Sequence, residues 1–180
     1  MPRVPRKVAT PAAPDLGQLG EQWVAQWLQR RGWRLLAQRW HCRWGELDLV
    51  MGRAIAPGDP TDAADQSDQW PQAEQAEQAE QYAAIAFVEV KTRRDRGWDE
   101  AGKLAITPQK QAKLWKAAEL FLAEHPQWAE VPCGFDVALV QGVKLAGAVD
   151  VSQIDGETTV IAQGYRLTLV EYLQNAFTII

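Results

Sequence analysis

"FVEVKTR", residues 87–93, is an apolar segment that contains an acid and a base two positions apart. It ends the longer run "AAIAFVEVKTR" (83–93), whose β-branched and aromatic content predicts a strand. Side chains alternate between the faces of a sheet, so Glu89 and Lys91 share one face, about 6.8 Å apart along the strand. Charges inside a strand usually face solvent, but an acid and a base on one face can also belong to a metal site.

A second segment, "GELDLVM" (45–51), alternates in the same way and adds a carboxylate at Asp48. If the two strands form one hairpin, the Cβ atoms of Asp48 and Glu89 come within about 4.5–5.5 Å. Two carboxylate charges about 4 Å apart repel by about 4 kcal/mol at an effective dielectric constant of about 20. A proton, the Lys91 ammonium or a divalent cation could offset this repulsion.

Mg²⁺ prefers one or two carboxylates, retained waters and phosphate oxygens, so Asp48 and Glu89 with a neighbouring carbonyl would suit Mg²⁺ or Mn²⁺. Lys91 would then lie where it could stabilise a bound hydroxide or the charge that develops during phosphodiester hydrolysis. A chain with 23 acids contains an acid-x-Lys triplet by chance, so the triplet is informative only beside the second acidic strand. The alternative is that Asp48 and Glu89 are exposed strand residues and that Lys91 forms a surface ion pair.

The length of 180 residues suits a single domain. We expect a disordered, Pro-rich tail over 1–14 and one domain over 15–180, with an acidic low-complexity insert at about 52–82. No segment has the pattern of a secretory signal or a membrane span. The two cysteines and two histidines form no spaced ligand pairs, so a zinc site is not expected, and reduced thiols indicate the cytoplasm.

The net charge of −4 is unevenly distributed. Seven acids and no Lys or Arg lie within 54–86, so the remaining chain is mildly basic, which permits a phosphate-containing partner. The candidate phosphate contacts are Arg93, Arg94, Lys110 and Lys113. Lys110 and Lys113 are one helical turn apart, although a solvated helix face explains them equally well.

The order of elements predicts an α/β domain in which helices flank a mixed sheet. Thr107 is the expected N-cap of the second helix, with Pro108 at its first position. The predicted elements are a helix within 15–33, strands over 33–40, 45–51 and 83–93, a helix over 107–126, strands over 133–141 and 144–154, and a short helix over 168–177.

The segments "GQLGEQWVAQWLQRRGWRLLAQRW", "GELDLV", "FVEVKTR", "AITPQKQAKLWKAAELFL" and "FDVALV" resemble the YraN family of bacterial proteins, which is similar to the PD-(D/E)xK nucleases and to archaeal Holliday junction resolvases. The resemblance covers most of residues 17–141 apart from the insert. It implies a restriction-endonuclease-like fold, metal ligands at Asp48 and Glu89, a catalytic Lys91, and a contribution from Glu21 in the first helix.

Lys110 and Asp136 also match recurrent family positions, with no role assigned to either. Without the resemblance, Glu21 would be interpreted as an exposed helix residue, and Asp136 as either a structural or a site residue. The acidic insert departs from the short hairpin connection usual in the family, which puts in doubt how closely DNA could approach from that side.

These patterns and the family resemblance lead to two candidate functions. The first is a Mg²⁺- or Mn²⁺-dependent endonuclease that hydrolyses phosphodiester bonds in branched or structured DNA, acting as a homodimer by analogy with junction-cutting relatives. The second is a non-catalytic module that keeps the nuclease fold and binds nucleic acid or a protein partner. An unrelated α/β protein with a fortuitous triplet is the remaining alternative.

Overall fold

A computed structural model describes residues 15–55, 82–94, 106–145 and 157–177. The predicted tail (1–14), most of the predicted insert and the greater part of the predicted strand 144–154 lie outside these residues. At the edges of the predicted insert, residues 52–54 continue one strand and Tyr82 begins the next.

Two α-helices begin and end close to the predicted positions. Helix α1 spans Leu16–Gln29, and the Asp15 carboxylate caps it by accepting a hydrogen bond from the Gly17 N–H at 3.0 Å. Gly32, with φ of +83°, turns the chain away after this helix. Helix α2 spans Pro108–Glu124, and its N-cap hydroxyl on Thr107 accepts from the Lys110 N–H at 3.3 Å.

In the described part of the chain, six strands form one mixed sheet with the order β1-β2-β3-β4-β6-β5. Strands β1, β2 and β3 pair antiparallel, β3 and β4 pair parallel through a crossover that includes α2, and β6 pairs antiparallel with both β4 and β5. The strands are β1 (Trp33–Cys42), β2 (Gly45–Ala54), β3 (Tyr82–Arg93), β4 (Cys133–Lys144), β5 (Thr159–Ala162) and β6 (Tyr165–Phe177).

The two helices cover opposite faces of the sheet. On one face, α1 packs with Trp23, Val24 and Leu28 against a buried group that includes Leu49 and Val88. On the other face, buried side chains of α2 pack against strand residues such as Val50, Phe87 and Leu139. The expected fold class, a restriction-endonuclease-like mixed sheet flanked by helices, is therefore confirmed.

The helix predicted over 168–177 is wrong, because these residues belong to the long strand β6. Apolar residues within 168–177 occur at spacings that a helix also allows. The strand pattern begins upstream, where Tyr165, Leu167 and Leu169 are buried and Arg166 is exposed. Pairing with β4 along most of the strand then outweighs local preference.

No helix among the described residues is long and apolar enough to cross a membrane.

Candidate active site

The carboxylates of Asp48 and Glu89 lie on neighbouring strands at the centre of the sheet. The β2–β3 register places Leu49 opposite Val88, so the next position along brings Asp48 beside Glu89. The Val90 N–H donates to Asp48 Oδ2 at 2.7 Å, which fixes that carboxylate against β3. Glu89 is only 6% exposed, and Asp48 is half-buried. The predicted hairpin is thus confirmed, and neither acid is an exposed strand residue.

Burial and mutual repulsion change the acidity of this pair. The pKa of Asp48 rises from 3.8 to about 7, chiefly because burial disfavours the charged form and secondarily because Glu89 is negative. The hydrogen bond from the Val90 N–H opposes this rise in pKa. A proton or a cation is therefore favoured at Asp48 near neutral pH.

Two lysines approach the acidic pair from different elements. Lys110 of α2 donates from Nζ to Glu89 Oε1, forming a partly buried ion pair that the sequence did not predict. Lys91 lies two residues beyond Glu89 on β3 and is half-buried. Burial lowers the pKa of Lys91; the negative charge of Glu89 opposes this, and the positive charges of Lys110 and Arg93 reinforce it.

Glu21 reaches the same region from α1. It is 8% exposed, so the alternative of an exposed helix residue is excluded. Arg39 Nε lies 3.7 Å from Glu21 Oε2, yet this buried oxygen accepts no hydrogen bond. Burial raises the pKa of Glu21, and the Arg39 guanidinium opposes the rise. Glu21 also adds to the negative potential that raises the pKa of Asp48.

Arg39 connects helix α1 to the start of β2. Its backbone has a φ of +51°, and its Nε donates to Glu46 Oε1 at 3.0 Å. The Glu46 charge is therefore balanced by a cation. Sequence reasoning missed Arg39, because neither its backbone conformation nor its partners can be read from the residues around it.

The donor set fits a magnesium-type site better than a closed cage of protein ligands. Within the four described ranges, no group of three or more His, Cys, Asp or Glu side chains could hold a metal ion. Two adjacent carboxylates are what Mg²⁺ takes from a protein when waters and phosphate oxygens supply the other ligands. Burial and the negative charge of Glu89 both raise the pKa of Asp48, and a cation beside the two carboxylates would oppose both effects.

Asp136 is held in place by hydrogen bonds from β6. It is 4% exposed, and its two oxygens accept hydrogen bonds from the Tyr172 hydroxyl at 2.6 Å and the Asn175 N–H at 2.8 Å. These bonds span the β4–β6 ladder where its register shifts, between Phe135 and Val137. Asp136 therefore stabilises an irregular strand pairing.

The candidate phosphate contacts divide between two places. Arg93 and Arg94 are exposed at the end of β3, whereas Lys110 and Lys113 line a cavity between α2 and the β1–β2 turn. Trp44 lines this cavity too, and sequence reasoning did not select it. The sequence did contain an indication of Trp44: in "RWGE" an aromatic residue directly precedes a glycine at the start of the strand that carries Asp48.

Comparison with known proteins identifies relatives along most of the chain. Residues 20–140 match the model of "Uncharacterised protein family UPF0102". A UPF0102 protein of Acaryochloris marina is 39% identical over 190 residues, covering 94% of this chain and 99% of the relative. A UPF0102 protein of Trichodesmium erythraeum is 39% identical, covering 92% and 89%. One of Thermosynechococcus vestitus is 43% identical, covering 70% and 80%. The chain therefore belongs to the UPF0102 family, which is the YraN family.

Proposed function

We propose that this protein is a Mg²⁺- or Mn²⁺-dependent endonuclease that hydrolyses phosphodiester bonds in branched or structured DNA. The observation that supports it most strongly is the position of Asp48 next to Glu89 at the end of the β2–β3 ladder, two residues before Lys91. Two adjacent carboxylates are suited to a divalent cation, and a neighbouring lysine is suited to the anionic phosphate.

Each residue has a distinct task in this proposal. Asp48 and Glu89 would hold the cation, with the Val90 N–H keeping Asp48 in position. The cation would supply Lewis-acid polarisation of the phosphodiester and a water molecule of lowered pKa. Lys91 would bring its ammonium close to the phosphate that is cut. Because burial lowers its pKa, Lys91 releases a proton more readily than an exposed lysine does.

Lys110 would act before the chemistry. Its ammonium is bonded to Glu89 Oε1, so it neutralises the carboxylate that the cation requires. Cation binding would release Lys110, and the freed ammonium could then contact a DNA phosphate together with Lys113. Glu21 would raise the negative potential around the pair without being a third ligand.

A non-catalytic module remains the second candidate, and the same ion pair favours it. A Glu89 carboxylate neutralised permanently by Lys110 would have little affinity for a cation, leaving a basic cavity that only binds. Either function is expected in the cytoplasm, where DNA is accessible and the thiols of Cys42 and Cys133 stay reduced. A homodimer is expected by analogy with junction-cutting relatives of this fold.

The test is cleavage of labelled junction, flap, single-stranded and duplex DNA by the full chain, with Mg²⁺, with Mn²⁺ or with neither. Glu89→Ala and Lys91→Ala should both abolish cleavage. Lys144→Ala is the matched control, because this exposed lysine lies at the end of β4 and outside the site, so it should leave cleavage unchanged.

Calorimetry with Mn²⁺ separates the two roles. Glu89→Ala should weaken metal binding, whereas Lys91→Ala should retain it while losing activity. If DNA binds equally well to wild type and both variants but is never cut under any metal condition, the binding module is correct and the nuclease proposal is wrong.

A further inference from the structure

The cavity beside the acidic pair has the lining expected of a nucleotide-binding site. Its volume is about 310 Å³, at the small end of ligand-binding pockets. Trp44 of the β1–β2 turn and Glu46 at the start of β2 form one side, and Lys110 and Lys113 of α2 with its N-cap Thr107 form the other. Lys110 also bonds to Glu89, so the cavity adjoins the carboxylates that would hold the cation.

Trp44 differs from the aromatic residues of the core. Among the described residues, it belongs to neither of the two hydrophobic clusters that pack the helices on the sheet. Instead, Lys116 Nζ and the Arg43 guanidinium lie 4.2 and 5.2 Å from its ring centroid. Both cations lie over the ring, so a base that stacks on Trp44 would take the place of one of them, and the displaced cation could then contact the backbone of the same strand.

The charges around the cavity allow a nucleotide to enter. Lys110 and Lys113 lie one turn apart on α2 and supply ammonium groups for a phosphate, and Lys110 has further N–H donors for it even while one is bonded to Glu89. The one carboxylate in the lining, Glu46, is bonded to Arg39 at 3.0 Å, which offsets its repulsion of phosphate. A base that stacks on Trp44 inside this cavity would have to leave its own base stack, which costs least for a nucleotide that is already unpaired.

We propose that this cavity binds one unpaired nucleotide of a DNA strand, with its base on Trp44 and its phosphate against Lys110 and Lys113. This inference rests on the proposed function and adds a substrate preference to it. DNA with an unpaired nucleotide next to the cut site, as at a flap or branch, should bind better than continuous duplex. The pocket would select such DNA by base stacking, independently of the cation.

The experiment compares two labelled duplexes that differ at a single unpaired position, which carries either a normal nucleotide or an abasic one. Affinity is measured by fluorescence anisotropy at low salt without Mg²⁺ or Mn²⁺, so hydrolysis does not contribute. Wild type should bind the DNA with the base about tenfold more tightly, as expected for one stacked base. Trp44→Ala should bind both DNAs alike, and Trp44→Phe should restore most of the preference.

Trp115→Ala is the matched control, because Trp115 is an exposed tryptophan on α2 that does not line the cavity. It should keep the wild-type preference. Equal affinity of wild type for the two DNAs, or an unchanged preference in Trp44→Ala, would overturn the inference. If cleavage occurs without a base preference, only the pocket is wrong; if the preference occurs without cleavage, only the nuclease is wrong.

Discussion

Replacing Asp48 by Asn should make the metal-free protein more stable at neutral pH. The folded-state pKa of Asp48 is raised from 3.8 to about 7, so between these values the folded state binds more protons than the unfolded state. Stability should therefore fall as the pH rises from about 4 to about 7, because folding then opposes ionisation of a buried acid. Asn stays neutral throughout and can still accept the Val90 N–H.

The magnitude follows from the difference in pKa. A rise in the pKa of Asp48 from 3.8 to about 7 lowers the free energy of unfolding by an amount on the order of 4 kcal/mol once the pH exceeds the higher pKa, at about 1.4 kcal/mol per pKa unit. This is an upper limit, because the Asn amide must replace a carboxylate in the same partly buried position. Asp48→Asn should thus exceed wild type by about 2–4 kcal/mol at pH 8 and match it near pH 4.

Urea denaturation from pH 4 to pH 8 in the presence of a chelator measures this difference. Glu130→Gln removes an exposed carboxylate outside the site and should follow the wild-type curve. Saturating Mg²⁺ should then stabilise wild type and leave Asp48→Asn unchanged. A constant stability difference between Asp48→Asn and wild type across this pH range would refute the reasoning, as would equal stabilisation of both by Mg²⁺.

Three further perturbations test the packing and charge of the fold. Gly20→Ala should lower the free energy of unfolding by about 1–3 kcal/mol, because a Cβ there would overlap Thr92 Oγ1; thermal unfolding should show partial recovery when Thr92→Ala is added. Tyr172→Phe should cost about 1–3 kcal/mol in urea denaturation, since Asp136 loses a buried donor, and wild-type stability would exclude that role. Deleting 56–81, which contains seven acids, should raise DNA affinity at low salt only; equal affinity would contradict electrostatic repulsion.

Periodicity was sufficient to predict the centre of the fold. Strand alternation in 45–51 and 83–93 correctly predicted β2 and β3, which pair antiparallel and bring Asp48 close to Glu89. The cap at Thr107 predicted the start of α2 for an equally local reason, the hydrogen bond that its hydroxyl oxygen accepts from the Lys110 N–H.

Features that depend on distant parts of the chain could not be predicted. Strand β6 is held by its ladder with β4, so its local sequence alone was compatible with a helix. The bond between Lys110 and Glu89 joins residues 21 positions apart through the docking of α2 on the sheet. Arg39 meets Glu21 and Glu46 only because α1 and the β1–β2 turn come together.

Anomalous diffraction from crystals soaked in Mn²⁺ tests the proposed metal site most directly. A peak should lie about 2.1 Å from oxygens of both Asp48 and Glu89, with Lys110 Nζ displaced from Glu89 Oε1. No peak between these carboxylates at saturating Mn²⁺, with Lys110 still bonded to Glu89, would contradict the proposal that this protein cuts DNA with a divalent cation.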